Sequence, residues 1–539
     1  MENRSQNYIR GAAILAATVA VTKVIGAIYK IPLYNLLGDE GTAHFQVTYT
    51  IYNLLLTIAT AGVPVALSRL ISAAHSVGCD RQGSRIHKVA MPTFIIVGLI
   101  CGGAMFLWAQ EIADLIGDPE IADGIRCLAP AVFFYCIIAV YRGYSQGHGD
   151  MIPTAISQIL EVLCKLFFGL AIAWILLKRG YGTPTVSAGT FAGITIGLLL
   201  SVPVMAYYKR RAAKRNSYRL DGTDPSVLSY RETLAQIFRI SLPITLGASV
   251  LNIITLVDTK LVLLRLQTGA GYDYMTAKVL YGAYSKALTL FNLPAAFIVP
   301  VTVSVVPAIA AALARKENDS AGEVMTSAVK VTNLIGLPAA AGLLILSFPI
   351  YSGLYWGSNE NGPALLALLG IASYFVCLQL ITTAILQASG FERLSMITLP
   401  LGGIVKVIAI WFLVGSPSIG IYGSPISTII CYVCISAFNI WFIRRYQTVR
   451  PDFLKATLRP FVCTVIMAVA AFAVYWLGMR AFGDWFAASR IHMLIIMCVS
   501  VVAAVAVYAV AIILLGAVTR EDLQLLPKGE KIADFLKIK

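Results

Sequence analysis

The sequence predicts an all-α, polytopic membrane protein with about fourteen transmembrane helices. Charged residues make up 13% of the 539 residues and apolar residues 58%, and the mean hydropathy is +0.78. Because a soluble domain carries about 25% charged residues, this chain has too few charges to cover a water-facing surface. The apolar runs are therefore assigned to the bilayer.

Fourteen apolar runs approach or exceed the roughly 20 residues that a helix needs to cross the hydrocarbon core. Their approximate limits are 9–31, 45–74, 89–109, 124–146, 153–177, 184–207, 239–266, 278–311, 325–348, 362–389, 395–415, 419–443, 458–480 and 491–516. The first run leads directly into the second, so we interpret it as an uncleaved helix rather than a signal peptide.

The longest polar stretch divides the chain after six spans. The predicted parts are an N-terminal lobe (1–207), a basic linker (208–238), a C-terminal lobe (239–443), two additional helices (444–516) and a tail (517–539). Three residues recur at an offset of 241 positions: Gln146, Gly149 and Lys165 recur as Gln387, Gly390 and Lys406. Because six is an even number of crossings, these matches favour a parallel internal repeat.

The distribution of positive charge predicts the orientation. With the N-terminus inside, about 29 of the 42 Lys and Arg lie on the cytoplasmic side, as the positive-inside rule requires. The longest early outer loop is instead acidic. Both termini are therefore predicted to be cytoplasmic, and the net charge of +15 is attributed to orientation rather than to nucleic-acid binding.

Cysteine and histidine patterns predict no metal and no cofactor. Most of the ten Cys lie inside apolar spans, and Cys431 and Cys434 form a single C-x-x-C that is best interpreted as apolar filler. The five His show no metal-ligand spacing, and the chain contains no G-x-x-x-x-G-K-[ST] nucleotide motif.

Six lysines lie within the predicted spans: Lys23, Lys30, Lys165, Lys260, Lys286 and Lys406. A charge at mid-bilayer costs roughly 2.5–3.5 kcal/mol on insertion scales, so it should face protein or a wet cavity. Lys30 is close enough to a span end for its ammonium to reach the headgroups. Lys23, Lys165 and Lys406 are near the middle of their spans, and the other two are intermediate.

Two acids lie deep in the spans. Glu161 is four residues before Lys165, which predicts an ion pair on one helix face, and Asp258 shares a face with Arg265. The other possible partners of Asp258 are Lys23 and Lys260. Because positive charge remains in excess, the lysines are predicted to line a wet cavity that binds phosphate as compact point charges.

Two stretches make the chain recognisable. KVIGAIYKIPLYNLLGDEGTAHFQ and NLLLTIATAGVPVALSRLISAA lie between Lys23 and Ala74, and YRGYSQGHGDMIPTAISQILEVLCK runs from Tyr141 to Lys165. They resemble the stage V sporulation protein B branch of the polysaccharide exporters. That branch belongs to the superfamily of multidrug (MATE) exporters, O-antigen flippases and MurJ-type lipid II flippases.

The resemblance implies two six-helix lobes around a central cavity, alternating access, and two C-terminal helices beside a groove for a lipid tail. It further implies a bacterial cell-membrane location and an undecaprenyl-diphosphate-linked glycan precursor as substrate. MurJ-type proteins place cations on the first, second, seventh and eighth helices. The matching candidates are Lys23, Arg69, Lys260, Arg265 and Lys286. Lys prevails here where MurJ-type proteins favour Arg, which leaves the headgroup open.

Three functions are compatible with this architecture. A monomeric flippase of lipid II-like precursors fits the positive balance best. A cation-coupled drug exporter would need acidic cavity residues, for which Glu161 and Asp258 are the candidates. A glycan polymerase or ligase would need catalytic residues on a large outer loop, and the outer segments are short. We therefore expect a transporter rather than an enzyme.

Overall fold

The computed structural model describes residues 2–77, 79–216, 227–447 and 449–518. This part of the chain is built of α-helices, and it contains thirteen helical stretches that are long and apolar enough to cross a membrane. The predicted all-α, polytopic membrane fold is confirmed. Much of the predicted linker and almost all of the predicted tail lie outside the described residues.

The chain forms two compact units, Met1–Lys260 and Leu261–Lys539. The helices of the first unit are α1 (Glu2–Thr60), α2 (Val63–Ser76), α3 (Asp80–Leu107), α4 (Ala109–Ile116), α5 (Ala122–Gly147), α6 (Ile152–Cys164), α7 (Leu170–Lys178) and α8 (Thr183–Asn216). Helix α5 lies at the centre, since it packs against α2, α3 and α8. Helix α9 (Tyr230–Thr268) begins in this unit and ends in the next.

The helices of the second unit are α10 (Tyr274–Ala314), α11 (Asn318–Ile345), α12 (Ser347–Leu354), α13 (Gly362–Ala388), α14 (Glu392–Leu413), α15 (Gly423–Tyr446), α16 (Phe453–Ala487) and α17 (Arg490–Leu514). Helix α13 is central and packs against α10, α11 and α15. The last two helices pack against each other, and α16 also contacts α11. Apolar side chains of α10, α11 and α13 form a buried core around Val305, Val329 and Ile381.

Helix α1 is a hairpin rather than one straight helix. Gly38 has φ 69° and ψ −168°, a conformation open essentially to glycine alone. In a straight helix, residues 30 and 49 would be roughly 28 Å apart, but the Lys30 ammonium lies 5.9 Å from the centre of the Tyr49 ring. The chain therefore reverses at Gly38. The first of the thirteen stretches, Ala17–Ser76, thus covers most of the first predicted span and all of the second. The second predicted span is interrupted at residues 61–62, before α2.

Hydrogen bonds attach the first part of α9 to the rest of its unit. The Gly62 N–H donates to Thr245 Oγ1 at 3.0 Å, and the Asn252 amide donates to Thr57 Oγ1 at 3.1 Å. Buried small or hydroxyl side chains recur along this part of the helix at Thr233, Ser241, Thr245 and Ser249. Small side chains allow helices to approach closely within a bilayer.

Two turns at the repeated positions have the same geometry. Gly149, after α5, has φ 77°, and Gly390, after α13, has φ 81°. The Gly149 N–H donates to Gln146 O at 2.9 Å, and the Gly390 N–H donates to Gln387 O at 3.1 Å. The matching residues of the predicted repeat thus occupy equivalent places in their helix-ending turns.

Candidate functional site

The ammonium of Lys165 lies among aromatic rings of the α1 hairpin. Its Nζ is 4.4 Å from the centre of the Tyr49 ring, 5.4 Å from that of Tyr29 and 6.0 Å from that of Phe45. Tyr29 lies before the reversal at Gly38 and the other two rings after it, so the lysine contacts both limbs of the hairpin. A cation over an aromatic face is attracted by the ring quadrupole.

Lys30 joins the same group, because its Nζ lies 5.9 Å from the centre of the Tyr49 ring and 5.8 Å from that of Tyr34. We call Tyr29, Lys30, Phe45, Tyr49 and Lys165 the lysine–aromatic cluster. Within the described parts of the chain, neither ammonium has a carboxylate oxygen within 4 Å. Two lysine ammonium groups thus lie near one ring without a close ion pair among the described residues, which suits them to an anionic ligand.

Lys165 begins a short π-helical segment, Lys165–Gly169, between α6 and α7. Single π turns inside α-helices are rare and occur frequently at functional sites, because the wider turn changes the direction of the side chains. Nothing in the sequence pattern predicted this segment.

The predicted ion pair between Glu161 and Lys165 is wrong. Glu161 Oε2 instead lies 3.3 Å from Arg142 Nη2, a guanidinium carried by α5. Arg142 is 4% exposed, and it also donates to Ser157 Oγ at 3.0 Å and to the Tyr135 hydroxyl at 3.1 Å. The planar guanidinium reaches several acceptors at once, which a lysine ammonium does less well. Lys165 therefore contacts the aromatic rings of the α1 hairpin instead of Glu161.

In the second unit, Lys286 on α10 is 2% exposed. Its Nζ donates to Ser358 Oγ at 3.3 Å and lies 5.7 Å from the centre of the Tyr355 ring. The Tyr351 hydroxyl is 3.0 Å from the same serine oxygen. This lysine thus resembles Lys165 in having aromatic neighbours.

Helix α10, which carries Lys286, begins at a well-formed cap. The carboxylate of Asp273 accepts hydrogen bonds from the backbone N–H groups of Met275 and Thr276, both at 3.1 Å. Hydrogen bonds from the side chain and the backbone of Thr276 hold the pKa of Asp273 below its usual range. The stabilisation of the helix by this cap is therefore complete at pH values above the ordinary pKa of aspartate. It is lost as the pH falls through the lowered pKa of Asp273.

Among the described residues, Arg265 contacts Trp411 and forms no close ion pair with Asp258, the acid that the sequence places on the same helix face. Its Nε donates to Trp411 O at 3.0 Å, and the guanidinium carbon lies 4.4 Å from the centre of the Trp411 indole. Stacking of this kind is typical of arginine, whose flat cation is weakly hydrated.

The remaining sequence-predicted residues range from exposed to half-buried, and Lys30 and Lys165 are themselves half-buried. Lys23 and Arg69 are exposed. Half-buried positions are occupied by Asp258, Lys260 and Lys406. The structure therefore groups Lys30 with Lys165 in the first unit, while a cavity shared by all eight cations remains a prediction.

An apolar pocket of about 400 Å³ lies between the last two long helices. Ile466 of α16 and Val507, Val510 and Leu514 of α17 are among its lining residues, and all seven of the lining side chains are apolar. Such a lining suits a hydrocarbon chain.

Sequence reasoning missed Arg142 and the aromatic members of the cluster. Arg142 lies inside the fourth predicted span and could have been found by searching the spans for arginine as well as lysine. The aromatic residues left a weaker signal: Tyr29, Tyr34, Phe45 and Tyr49 all lie in or beside the first two predicted spans, but their contact with Lys165 depends on the reversal at Gly38.

The fold and the charged residues within its spans are those of a multi-pass membrane protein. A family model described as polysaccharide biosynthesis protein matches residues 8–313, more than half of the sequence. The chain therefore belongs to the polysaccharide biosynthesis protein family, as the resemblance predicted.

Three relatives from Bacillus subtilis (strain 168) cover most of the chain. The uncharacterized membrane protein YabM is 26% identical over 98% of this chain and 96% of its own. The lipid II flippase MurJ is 24% identical over 88% of this chain and 89% of its own. Stage V sporulation protein B is 24% identical over 80% and 83%.

Two solved structures establish the fold more directly. Lipid II flippase MurJ in an inward closed conformation covers 93% of this chain and 99% of its own with a TM-score of 0.64 at 15% identity. An inward-facing multidrug resistance MATE family transporter of the MOP superfamily covers 84% and 98% with a TM-score of 0.63 at 18% identity. The predicted MATE-like architecture is confirmed.

Proposed function

We propose that this chain is a flippase that exports undecaprenyl-diphosphate-linked precursors of cell-envelope glycans, of the lipid II type, by alternating access. The relatives named as a lipid II flippase and a sporulation protein support this class of transporter. The observation that carries the proposal is the lysine–aromatic cluster. Two ammonium groups approach one tyrosine ring and, among the described residues, neither has a carboxylate within ion-pairing distance.

The diphosphate is the part of such a substrate that cannot enter hydrocarbon, because an ion pays a large desolvation cost there. Lys30 and Lys165 offer a partial replacement for its hydration. Lysine binds phosphate as a point charge rather than as a bidentate fork, which favours release on the far side. We infer that Lys23, Arg69, Lys260, Arg265, Lys286 and Lys406 extend this electropositive path in other states of the transport cycle.

The prenyl chain needs a separate, apolar route. The pocket between α16 and α17 has only apolar lining residues, and we assign it to part of that chain. The charged headgroup would then cross in a wet, cationic path. The prenyl tail would stay against the apolar side chains of α16 and α17.

The membrane potential, negative inside, would favour outward movement of the anion. At 100 mV a doubly charged headgroup gains about 4–5 kcal/mol, provided that the cations of the protein do not move with it. We therefore expect export without a nucleotide. The predicted orientation, with both termini cytoplasmic, belongs to the same proposal.

A cation-coupled drug exporter is the second candidate, and its support is the likeness to the solved MATE transporter. Such an exporter needs an acid that can bind a proton, sodium or a cationic drug. Glu161 is ion-paired to Arg142 at 3.3 Å, which makes it a poor candidate. The flippase is therefore the better supported function.

The test depletes the protein in its host and measures which lipid-linked precursors become inaccessible from outside the cell. Lys165→Ala should restore export about tenfold less well than the unchanged protein, the effect of losing one charged contact. Lys178→Ala is the matched control, since Lys178 also lies over an aromatic ring, at 4.0 Å from Trp174, but is exposed at the end of α7. Normal export by Lys165→Ala at normal abundance would refute the phosphate site. Unchanged precursors with increased drug sensitivity would favour the second candidate.

A further inference from the structure

A histidine surrounded by carboxylates lies near the turn of the α1 hairpin, next in the sequence to Phe45 of the lysine–aromatic cluster. His44 follows the reversal of the α1 hairpin by six residues and is 1% exposed. Glu40 comes from the same turn, whereas Asp118 and Glu120 come from the segment between α4 and α5. Two separate segments of the sequence with no common motif are thus brought together.

The two ring nitrogens of His44 face different carboxylates. Nε2 lies 3.6 Å from Glu40 Oε1 and 3.4 Å from Glu120 Oε2, while Nδ1 lies 3.2 Å from Asp118 Oδ2. Although the ring is buried, neither nitrogen makes a hydrogen bond of ordinary geometry with the described residues. A buried imidazole without a hydrogen bond is costly, so this arrangement requires an explanation.

A bound cation supplies that explanation. One ligand atom from each of Glu40, His44 and Glu120 can be chosen so that all three lie within 4.8 Å of one another. One imidazole nitrogen with two carboxylate oxygens is a common donor set for zinc and neighbouring divalent metals. An ion at the Nε2 side would bind that nitrogen and reduce the repulsion between the two glutamates.

The second nitrogen and a neighbouring hydroxyl fit the same interpretation. A histidine that binds a metal usually directs its other ring nitrogen toward a carboxylate, which fixes the orientation of the ring. Asp118, itself 1% exposed, occupies that position. The Thr183 hydroxyl, at the start of α8, donates to Glu40 Oε1 at 2.8 Å, so it would orient one of the ligands.

We propose that Glu40, His44 and Glu120 bind one divalent transition-metal ion, with zinc as the best match, and that Asp118 and Thr183 are positioning residues for this site. The ion joins the turn of the α1 hairpin to the segment before α5. It is a structural clamp within the first unit and is independent of the proposed export function.

The test uses full-length protein, freed of any affinity tag, stripped with a chelator in detergent micelles and titrated with Zn²⁺ by calorimetry. We expect one ion per chain with a dissociation constant of about 1 µM or lower, and an increase in melting temperature on binding. His44→Gln should abolish both effects. Asp118→Asn should weaken binding by about 10–100-fold, and Ca²⁺ should not compete, because it prefers all-oxygen sites.

Two variants control for binding elsewhere. Asp123→Asn removes a nearby exposed acid that pairs with Arg126, and it should leave binding unchanged. His148→Gln removes one of two neighbouring histidines elsewhere in the first unit, His75 and His148, whose ring centres lie 5.8 Å apart. If His148→Gln rather than His44→Gln abolishes binding, the proposal is wrong.

A folding defect would not hide the outcome. Glu120 is partly exposed, so Glu120→Gln should fold normally even if His44→Gln does not, and it should lose at least tenfold in affinity. Equal zinc affinity in Glu120→Gln and the unchanged protein, or no stoichiometric zinc in the latter, would overturn the proposal. In that case the three carboxylates around His44 would hold its ring without a metal ion.

Discussion

Arg142 and Lys165 show two ways of keeping a cation inside a membrane protein. The arginine is nearly inaccessible and has an acid, a serine and a tyrosine as partners. The lysine lies over aromatic faces and, among the described residues, has no carboxylate oxygen within 4 Å. A fully paired cation contributes to structure, whereas one held only by aromatic rings keeps most of its capacity to bind an anion. This difference separates a structural charge from a candidate binding charge.

The ion pair of Arg142 and Glu161 should be important for stability. Arg142→Ala should lower the free energy of unfolding by about 3 kcal/mol, because Glu161 would remain a poorly solvated charge without its partner. Measurement of unfolding in mixed micelles with increasing denaturing detergent would show this. Arg126→Ala, which breaks an exposed pair with Asp123, should have a much smaller effect.

A double variant identifies the cause of that loss. Arg142→Met combined with Glu161→Gln should recover much of the stability, since no uncompensated charge remains. If the double variant is as unstable as Arg142→Ala, the loss comes from packing rather than from the unpaired acid.

The sequence was sufficient to find the charged residues but not most of their partners. The apolar runs alone identified Lys30 and Lys165 as charges within the membrane spans. Their shared ring, Tyr49, is 116 residues before Lys165, and the contact exists because the chain reverses at Gly38. A similar reason explains why the histidine spacing predicted no metal site: Asp118 and Glu120 come from a segment more than 70 residues after His44. Local spacing carries no information about such contacts.

Helix lengths followed from the sequence more closely than helix shapes did. The apolar runs correspond to the observed helices because backbone groups in hydrocarbon must be satisfied within the helix. The hairpin in α1 and the π-helical segment at Lys165–Gly169 depend on the conformation of a few residues, to which hydropathy is insensitive. These two irregularities nevertheless position the lysine–aromatic cluster.

Close packing between α2 and α5 should depend on Gly143. A Cβ at this position would lie 2.7 Å from Leu67 Cβ and 3.0 Å from Pro64 Cα, and the second of these is backbone that cannot move aside easily. Gly143→Ala should therefore lower the free energy of unfolding by about 1–3 kcal/mol, the usual cost of overpacking. The unfolding measurement described for Arg142 applies here as well.

Gly103→Ala is the control for this effect. Gly103 lies within α3, and nothing comes within 4 Å of a Cβ placed there. Alanine is a better helix former than glycine, so this variant should be at least as stable as the unchanged protein. Equal stability of the two alanine variants would show that α2 and α5 are not in close contact at Gly143.

The matching turns at Gly149 and Gly390 relate the two halves of the chain. Each follows a long central helix, and each has the same hydrogen bond to a glutamine carbonyl three residues earlier. If the halves arose by duplication, Lys165 and Lys406 are equivalent positions, and six helices in each half give both the same orientation. The orientation inferred from the loop charges then applies to the whole molecule.

Cysteine labelling of intact cells would determine that orientation. Asp114→Cys and Ser418→Cys, both at exposed positions in loops predicted to be outside, should react with a membrane-impermeant maleimide. Ser76→Cys and Glu392→Cys, exposed positions in loops predicted to be inside, should react only after the cells are opened. The background protein should carry Cys127→Ser and Cys498→Ser, since these two native thiols are exposed.

A reversed pattern would contradict the positive-inside assignment and place the His44 site in the cytoplasm. A mixed pattern within one half would contradict the crossing between its two labelled positions, which is α3 in the first half and α14 in the second.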